Sequence, residues 1–452
     1  MTPSNDIVQL TGFNPAEFTG TMLDNRFQKI IFHLTSVATN IFPRGAAWFF
    51  DHAIPPFLGN RLLVNHIFRK NIRGLRKVRK FERVLVIPDV HIGDAIMMQA
   101  AVSAFRDFFP EARIDYVVKK TVACLIEGNP DISNLYPVFT GAPFPNESDV
   151  AAVQKLVAEN HYDLCFNCSP FFEDARLFPA GQAILNFMTS APQMIRNDMD
   201  QTGINHFLFQ SYEFPHRLLA QLLQPQRTDA FHGVPLTLSD AAIAEAQAFL
   251  DSLNLEAGHP VLFINPDTAS PYTRIPFDYQ LDILRRFAGT SRAVLLGTAF
   301  TARGIENQLL EGLTESERSK VHLVPTTLSI DAYCALIDLT DVFLSGDTGP
   351  LHMAAARKVS KSGKHKFRNQ TFVVSVFGAT PARMSGYDST NPLFPPANQD
   401  VLSKTYVSQS PCRNITCVNK MAKTCQTVRC FETLDVAGIF KDVENYLTGL
   451  KA

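Results

Sequence analysis

The sequence predicts an α/β protein made of two doubly wound, Rossmann-like halves. Three observations predict it. Short all-apolar runs such as Val84-Leu-Val-Ile87 and Val261-Leu-Phe-Ile-Asn265 recur, each the length of one strand buried on both faces of a parallel sheet. Helix-length segments separate them, the spacing of right-handed βαβ units. The rhythm breaks around His232 to Pro260 and then restarts, so two sheets are expected rather than one.

Bulk properties agree with a large globular chain. The 452 residues leave room for two domains or more. Apolar residues make up 46% and charged residues 19%, enough to bury sizeable cores. A formal net charge of -1 argues against a nucleic-acid binder. Met1–Leu23 lacks the basic start and apolar run of a secretory leader. Arg44, Asp51 and several prolines interrupt the apolar stretch Ile30–Leu58, whereas a membrane span needs about 20 clean apolar residues. A cytoplasmic protein without a transmembrane helix is the expectation.

In chain order, residues 1–80 form a separate extension, helical and basic. It carries Arg61, Arg69, Lys70, Arg73, Arg76, Lys77, Arg79 and Lys80. This run, within 61–83, is either a solvated helical face or a peripheral contact for an anionic membrane, where each basic residue contributes about 1 kcal/mol. The first half, 81–255, has strands at Val84–Ile87, Ile114–Val118, Leu135–Val138 and Tyr162–Asn167. Helices are expected at Ala95–Phe108, Val150–Glu159 and Ser239–Leu253, the last with Ser239 as N-cap. The second half, 256–431, has strands at Val261–Asn265, Ala293–Leu296, His322–Val324, Val342–Ser345 and Thr371–Phe377. Its helices are Asp278–Phe287, Ala302–Leu313 and Ile330–Leu339, the last capped by Ser329. A final helix, about Leu434–Leu450, lies in the closing stretch 432–452.

In doubly wound folds ligands bind at the carboxyl ends of the strands. The segment Ser345-Gly-Asp-Thr-Gly-Pro-Leu-His352 is the strongest candidate there. Gly346 and Gly349 permit a tight turn and a close ligand. Pro350 suits a helix start, and that N-terminus favours a phosphate. Asp347, Thr348, Gly349, Pro350, Leu351 and His352 are the candidate donor-binding residues; the bland alternative is a well-capped turn with a core histidine. In Val86-Ile-Pro-Asp-Val-His-Ile-Gly-Asp-Ala95, Asp94 is a candidate general base, with His91 and Gly93 lining the acceptor side. The alternative is that Asp94 only caps its helix; Asp89 is a weaker carboxylate in the same loop. The loop Asn265–Pro276 adds Thr268, Ser270, Thr273 and Arg274 for a diphosphate. Gly378 and Thr380 follow a further strand and could border the same pocket.

Of eight cysteines, Cys124, Cys165, Cys168 and Cys334 are scattered in apolar surroundings and read as core residues. Cys412, Cys417, Cys425 and Cys430 cluster, with four, seven and four residues between them. This is not the spacing of a zinc ribbon. A structural zinc or iron, disulfides and free thiols all remain open for it.

These residues together resemble glycosyltransferase family nine, the ADP-heptose:lipopolysaccharide heptosyltransferases. Gly93-Asp94, Phe108-Phe-Pro-Glu-Ala-Arg-Ile114, Tyr162-Asp163-Leu164, Ile264-Asn-Pro266, Arg274-Ile-Pro276, Gly346-Asp-Thr-Gly-Pro-Leu-His352 with Ala354-Ala-Ala356, and Phe377-Gly-Ala-Thr380 occur in the family's order. The likeness runs from about Arg83 to the C-terminus. It implies a GT-B type fold: an N-terminal acceptor domain and a C-terminal donor domain facing a central cleft. It also implies inverting, metal-independent transfer of a sugar, heptose by resemblance. The partners would be a nucleotide-sugar donor such as ADP-heptose and a lipopolysaccharide core or related glycan acceptor. Asp94 would be the base, and Asp347, Thr348, Gly349 and His352 donor ligands. The family's donor loop carries a lysine two residues before a Trp-Pro pair; here Thr273 and Ile275-Pro276 stand there, and Arg274 offers the cation. A protein-directed transferase and a catalytically degenerate scaffold of the same fold are the alternatives. A dinucleotide-dependent oxidoreductase would need a G-x-G-x-x-G turn after a strand, and none stands in place.

Overall fold

The computed structural model describes residues 75–76, 78, 80–88, 91–140, 145–169, 183–186, 207–220, 222–227, 234–256, 258–268, 273–290, 292–298, 304–359, 371–378, 382, 386–387, 403–407 and 429–449. The expected extension 1–80 lies almost wholly outside them, as do Arg61, Arg69, Lys70, Arg73, Lys77 and Arg79. Of its basic residues, Lys80 is described and pairs with Glu82 on the surface. The described residues fall into two compact units. Unit 1 takes those within Met1–Ala123 and Pro130–Phe231; unit 2 takes those within Cys124–Asn129, His232–Pro411 and Val428–Ala452.

Unit 1 is built on a five-stranded sheet of order β3-β2-β1-β4-β5. The strands are β1 (Arg83–Ile87), β2 (Arg113–Lys119), β3 (Asn134–Phe139), β4 (Leu164–Asn167) and β5 (Ala183–Asn186). Every neighbouring pair runs parallel. Parallel strands need crossovers: α1 (Ile92–Met97) and α2 (Gln99–Phe108) link β1 to β2, α3 (Glu147–Asn160) links β3 to β4, and α4 (Phe207–Ala220) follows β5. One face packs Leu85, Ile87, Val117 and Cys165 against Val153, Leu156 and Val157 of α3. The Phe166 ring also meets Phe105 edge-on and Phe214 at a tilt, with centroids 5.5 and 6.3 Å apart. At the amino end of the sheet, buried Asp115 accepts two bonds from Arg113, one from Asn134 and one from the Tyr162 hydroxyl. Those four donated bonds satisfy the buried carboxylate and tie β2 to β3 and to the chain entering β4.

Unit 2 is built on a six-stranded sheet, β11-β10-β9-β6-β7-β8. Its strands are β6 (Val261–Asn265), β7 (Ala293–Leu296), β8 (Val321–Leu323), β9 (Val342–Gly346), β10 (Phe372–Phe377) and β11 (Ser403–Val407), again all parallel. The helices are α5 (Asp240–Ser252), α6 (Phe277–Ala288), α7 (Gly304–Glu311), α8 (Ile330–Leu339), α9 (Gly349–Val359) and α10 (Val436–Gly449). Ser239 and Ser329 cap α5 and α8 as their positions predict, each accepting from the amide three residues on. The core joins Ile283, Leu284 and Phe287 of α6 to the sheet and to Ile439, Val443 and Leu447 of α10. Phe287 meets Phe440 at 5.3 Å, and Arg292 forks onto Glu444. The last helix is therefore an integral wall of unit 2.

Several elements differ from the sequence expectation. Ala95–Phe108 is two helices that meet at Met98 and start earlier, at Ile92. β5, β11 and α4 were not expected. α4 holds Pro215 in its interior, and an internal proline reads as a helix break. Among the described residues no helix is long and apolar enough to cross a membrane.

Candidate functional site

The two strand orders position the candidates. A doubly wound sheet opens a crevice where the chain reverses direction along the sheet. In unit 1 that point lies between β1 and β4, and in unit 2 between β6 and β9. The turns leaving those strands carry nearly all the candidate residues.

In unit 1, β1 leads into α1. His91 is the N-cap of α1, in extended conformation (φ -75°, ψ 145°). Asp94 is therefore the third residue of the helix, not its cap, as the sequence reading had it. Its main chain is engaged: Met98 N–H donates to Asp94 O at 2.8 Å. Its carboxylate is partly exposed, and Oδ2 stands 3.7 Å from His91 Nδ1. Gly93 is buried. The helix is tied to the sheet by the Tyr116 hydroxyl, which donates to Ala95 O at 2.6 Å. Tyr116 is fully buried; burial raises its pKa well above the usual value, with Cys168 and Asp94 adding to the shift. Asp89 lies outside the described residues.

In unit 2 the loop after β6 and the turn after β9 meet. Asn265 and Ser345 are paired in register on neighbouring strands. Asn265 Nδ2 donates to Ser345 Oγ at 3.0 Å and to Asp267 O at 3.0 Å. Its Oδ1 accepts from the Tyr333 hydroxyl at 3.2 Å. The loop is pinned at both ends by buried Gln280, whose Nε2 donates to Pro266 O (2.9 Å) and Ile275 O (2.6 Å). Thr273 is buried, and its hydroxyl donates to Thr268 Oγ1 at 3.1 Å. Arg274 pairs with Asp267 inside the same loop. Asp267 Oδ1 also accepts from Thr268 N–H at 2.8 Å, so one carboxylate ties the loop's start to its cation. Ser270 lies outside the described residues.

Gly346 is where loop and turn touch. A methyl group there would lie 3.0 Å from Thr273 O and 3.4 Å from Thr268 Cγ2. α9 begins directly after, at Gly349, with Pro350 in its first turn and Leu351 fully buried. Thr348 O accepts from Leu351 N–H at 3.0 Å. Asp347 and Thr348 sit partly exposed at this helix start, where aligned amides favour an anion. His352 is 5% exposed. Its Nε2 lies 3.8 Å from Asp347 Oδ1, and its Nδ1 lies 3.0 Å from the hydroxyl of Tyr387. Burial lowers the His352 pKa and Asp347 opposes this without cancelling it, so the ring is neutral at pH 7.

Tyr387 is the residue that reading the sequence missed. Nothing local marks it; only the fold brings it to His352. Gly378, by contrast, is occupied by packing. A methyl there would fall 2.3 Å from the Phe431 ring, so this glycine admits Phe431 to the core. Thr380 lies outside the described residues. So do Cys412, Cys417 and Cys425, while Cys430 is buried in the unit 2 core. Among the described residues no group of three or more His, Cys, Asp or Glu could hold a metal ion; of the cluster left open to metal, disulfides or free thiols, Cys430 alone falls among them. Cys165, Cys168 and Cys334 are buried as expected, and Cys124 is half-buried.

Residues 215–423 match the family model described as "Glycosyltransferase family 9 (heptosyltransferase)". The chain is 23% identical over 304 residues to lipopolysaccharide heptosyltransferase 3 of Escherichia coli (strain K12), covering 64% of this chain and 80% of that protein. Two solved structures share the fold. One is the E. coli ADP-heptose lps heptosyltransferase II, with a TM-score of 0.54 at 14% identity over 82% of this chain and 100% of the other. The second is the family 9 glycosyl transferase from Veillonella parvula DSM 2008, with a TM-score of 0.59 at 15% identity over 82% of this chain and 98% of the other. The fold is thus of GT-B type, and the family match spans α5 to α9 and both loops of the unit 2 site. The region 215–423 is thus similar to glycosyltransferase family 9, the heptosyltransferase family, and the chain is a glycosyltransferase.

Proposed function

We propose that this enzyme transfers heptose from a nucleotide diphosphate donor such as ADP-heptose to a lipopolysaccharide core or related glycan, with inversion at the anomeric carbon. The observation that carries the donor assignment is the meeting of two turns at the switch point of unit 2. Thr268, Thr273 and Arg274 come from one turn and Asp347 to His352 from the other, in contact at Gly346. Arg274 offers a planar guanidinium suited to a diphosphate, and the start of α9 offers a positive dipole end. Asp347 accepts sugar hydroxyls, and Thr348 and Gly349 line the same helix start. Heptose and the lipopolysaccharide acceptor are supported by the name of the E. coli relative.

In the reaction an acceptor hydroxyl attacks the anomeric carbon while the bond from that carbon to the donor phosphate oxygen breaks. Asp94 takes the hydroxyl proton, and the nucleoside diphosphate leaves with both bonding electrons. Its growing charge is met by Arg274 and the amides of α9. His91, which faces the Asp94 carboxylate, and Gly93 border the acceptor. The enzyme works at the inner face of a membrane, with the basic stretch 61–83 against anionic lipid.

Replacing Asp94 with Asn tests this. General-base catalysis contributes about 10²–10⁴-fold, so transfer from ADP-heptose should fall by at least about 10² while the dissociation constant for ADP-heptose stays within about twofold. Retained turnover would reassign the base; lost donor binding would place Asp94 with the donor instead.

A further inference from the structure

The Asp347–His352 pair has a third member outside the family motif. Tyr387 follows β10 in the chain, 35 residues beyond His352, and is 1% exposed. Its ring meets the imidazole edge-on, with centroids 5.7 Å apart and planes at 70°. A buried phenol needs a hydrogen-bond partner, and His352 Nδ1 lies 3.0 Å from this one. Burial, with Asp347 adding to it, holds the phenol in its O–H form. A neutral imidazole has one N–H and one bare nitrogen. If the phenol donates to Nδ1, the ring proton must sit on Nε2, the nitrogen 3.8 Å from Asp347 Oδ1.

We propose that Tyr387 is a positioning residue for the donor: by donating to His352 Nδ1 it fixes the imidazole in the Nε2–H form and turns that N–H toward the Asp347 carboxylate. The other tautomer would set a lone pair against the carboxylate. With the N–H facing it, Asp347 keeps its place beside the start of α9 and can accept sugar hydroxyls while a diphosphate is bound close by. The neutrality that burial imposes on His352 suits this arrangement. A charged ring would pair with Asp347 directly and compete with the sugar for it. This inference rests on Asp347 being a donor ligand, and the experiment separates the two.

The test uses full-length protein labelled with ¹⁵N-histidine. The His352 signals are assigned by their absence in His352→Asn, and the tautomer is read from the ring nitrogen shifts. Binding of ADP-heptose is measured by calorimetry. In the wild type His352 should be protonated on Nε2. In Tyr387→Phe that preference should be lost, and the dissociation constant should rise about tenfold, as expected for one lost hydrogen bond. Wild-type His352 protonated on Nδ1 would overturn the proposal without any variant. So would Tyr387→Phe with unchanged tautomer and affinity. If Asp347→Asn weakens ADP-heptose binding while Tyr387→Phe does not, only the role of Tyr387 falls. If Asp347→Asn binds as the wild type does, the donor role of Asp347 falls and this inference with it.

Discussion

A methyl group at Gly346 would press on the Thr273 carbonyl at 3.0 Å, where only backbone could yield. Gly346→Ala should therefore push the β6 loop away from the helix start, at a cost of about 1–3 kcal/mol in stability. Thermal unfolding and ADP-heptose titration together check this, and donor affinity should fall with the melting temperature. An unchanged affinity would mean that the loop does not touch the donor. At this scale the motif from Ser345 to His352 was legible because its chemistry is local: strand end, glycines, proline at a helix start. Asp94 was legible as a residue but displaced by three positions within its turn, since His91 takes the N-cap. A histidine is an uncommon cap and makes no side-chain capping bond here, so no pattern announced it. Tyr387 was invisible because its contact with His352 exists only after β9, β10 and α9 have assembled.

Whole elements were legible where periodicity was strong and the ends were capped. β1, β6, β7, β9 and β10 lie within one residue of their expected bounds, because an all-apolar run in a parallel sheet has no other place to go. β5 and β11, which were not expected, are edge strands, as β3 and β8 are, with a neighbour on one side only. The loop between β6 and α6 depends on an element that sequence reading treated as an ordinary helix. Gln280 of α6 is 3% exposed and holds both ends of that loop through one amide nitrogen. Gln280→Ala would leave two carbonyls unsatisfied, each costing about 1–3 kcal/mol if it stays dry. The expected outcome is a lower melting temperature and faster hydrogen exchange at the loop ends, with donor affinity reduced. If affinity were untouched, the loop's shape would not depend on its clamp.

At the scale of the molecule, each unit repeats one device: a parallel sheet with a reversal point and two turns leaving it. That repetition was readable from the break at His232–Pro260 and the restart after it. The role of α10 was not, because its contribution to the unit 2 core depends on contacts such as Phe287–Phe440 and Arg292–Glu444 that span more than 150 positions in the chain. The likeness to glycosyltransferase family 9 over residues 215–423 unites these observations, but the loop after β6 departs from the family pattern at Thr273. Thr273 is buried against Thr268, and the cation beside it, Arg274, pairs with Asp267. The identity of the nucleotide sugar is thus the point on which the account stands. The most direct measurement is the thermal unfolding of the full chain with ADP-heptose, GDP-sugars and UDP-sugars at matched concentrations. A ligand at 100 times its dissociation constant stabilises by about 2.7 kcal/mol, enough to resolve. ADP-heptose should raise the melting temperature, and Arg274→Ala should abolish most of the shift. Stabilisation by none of these sugars would contradict the donor assignment.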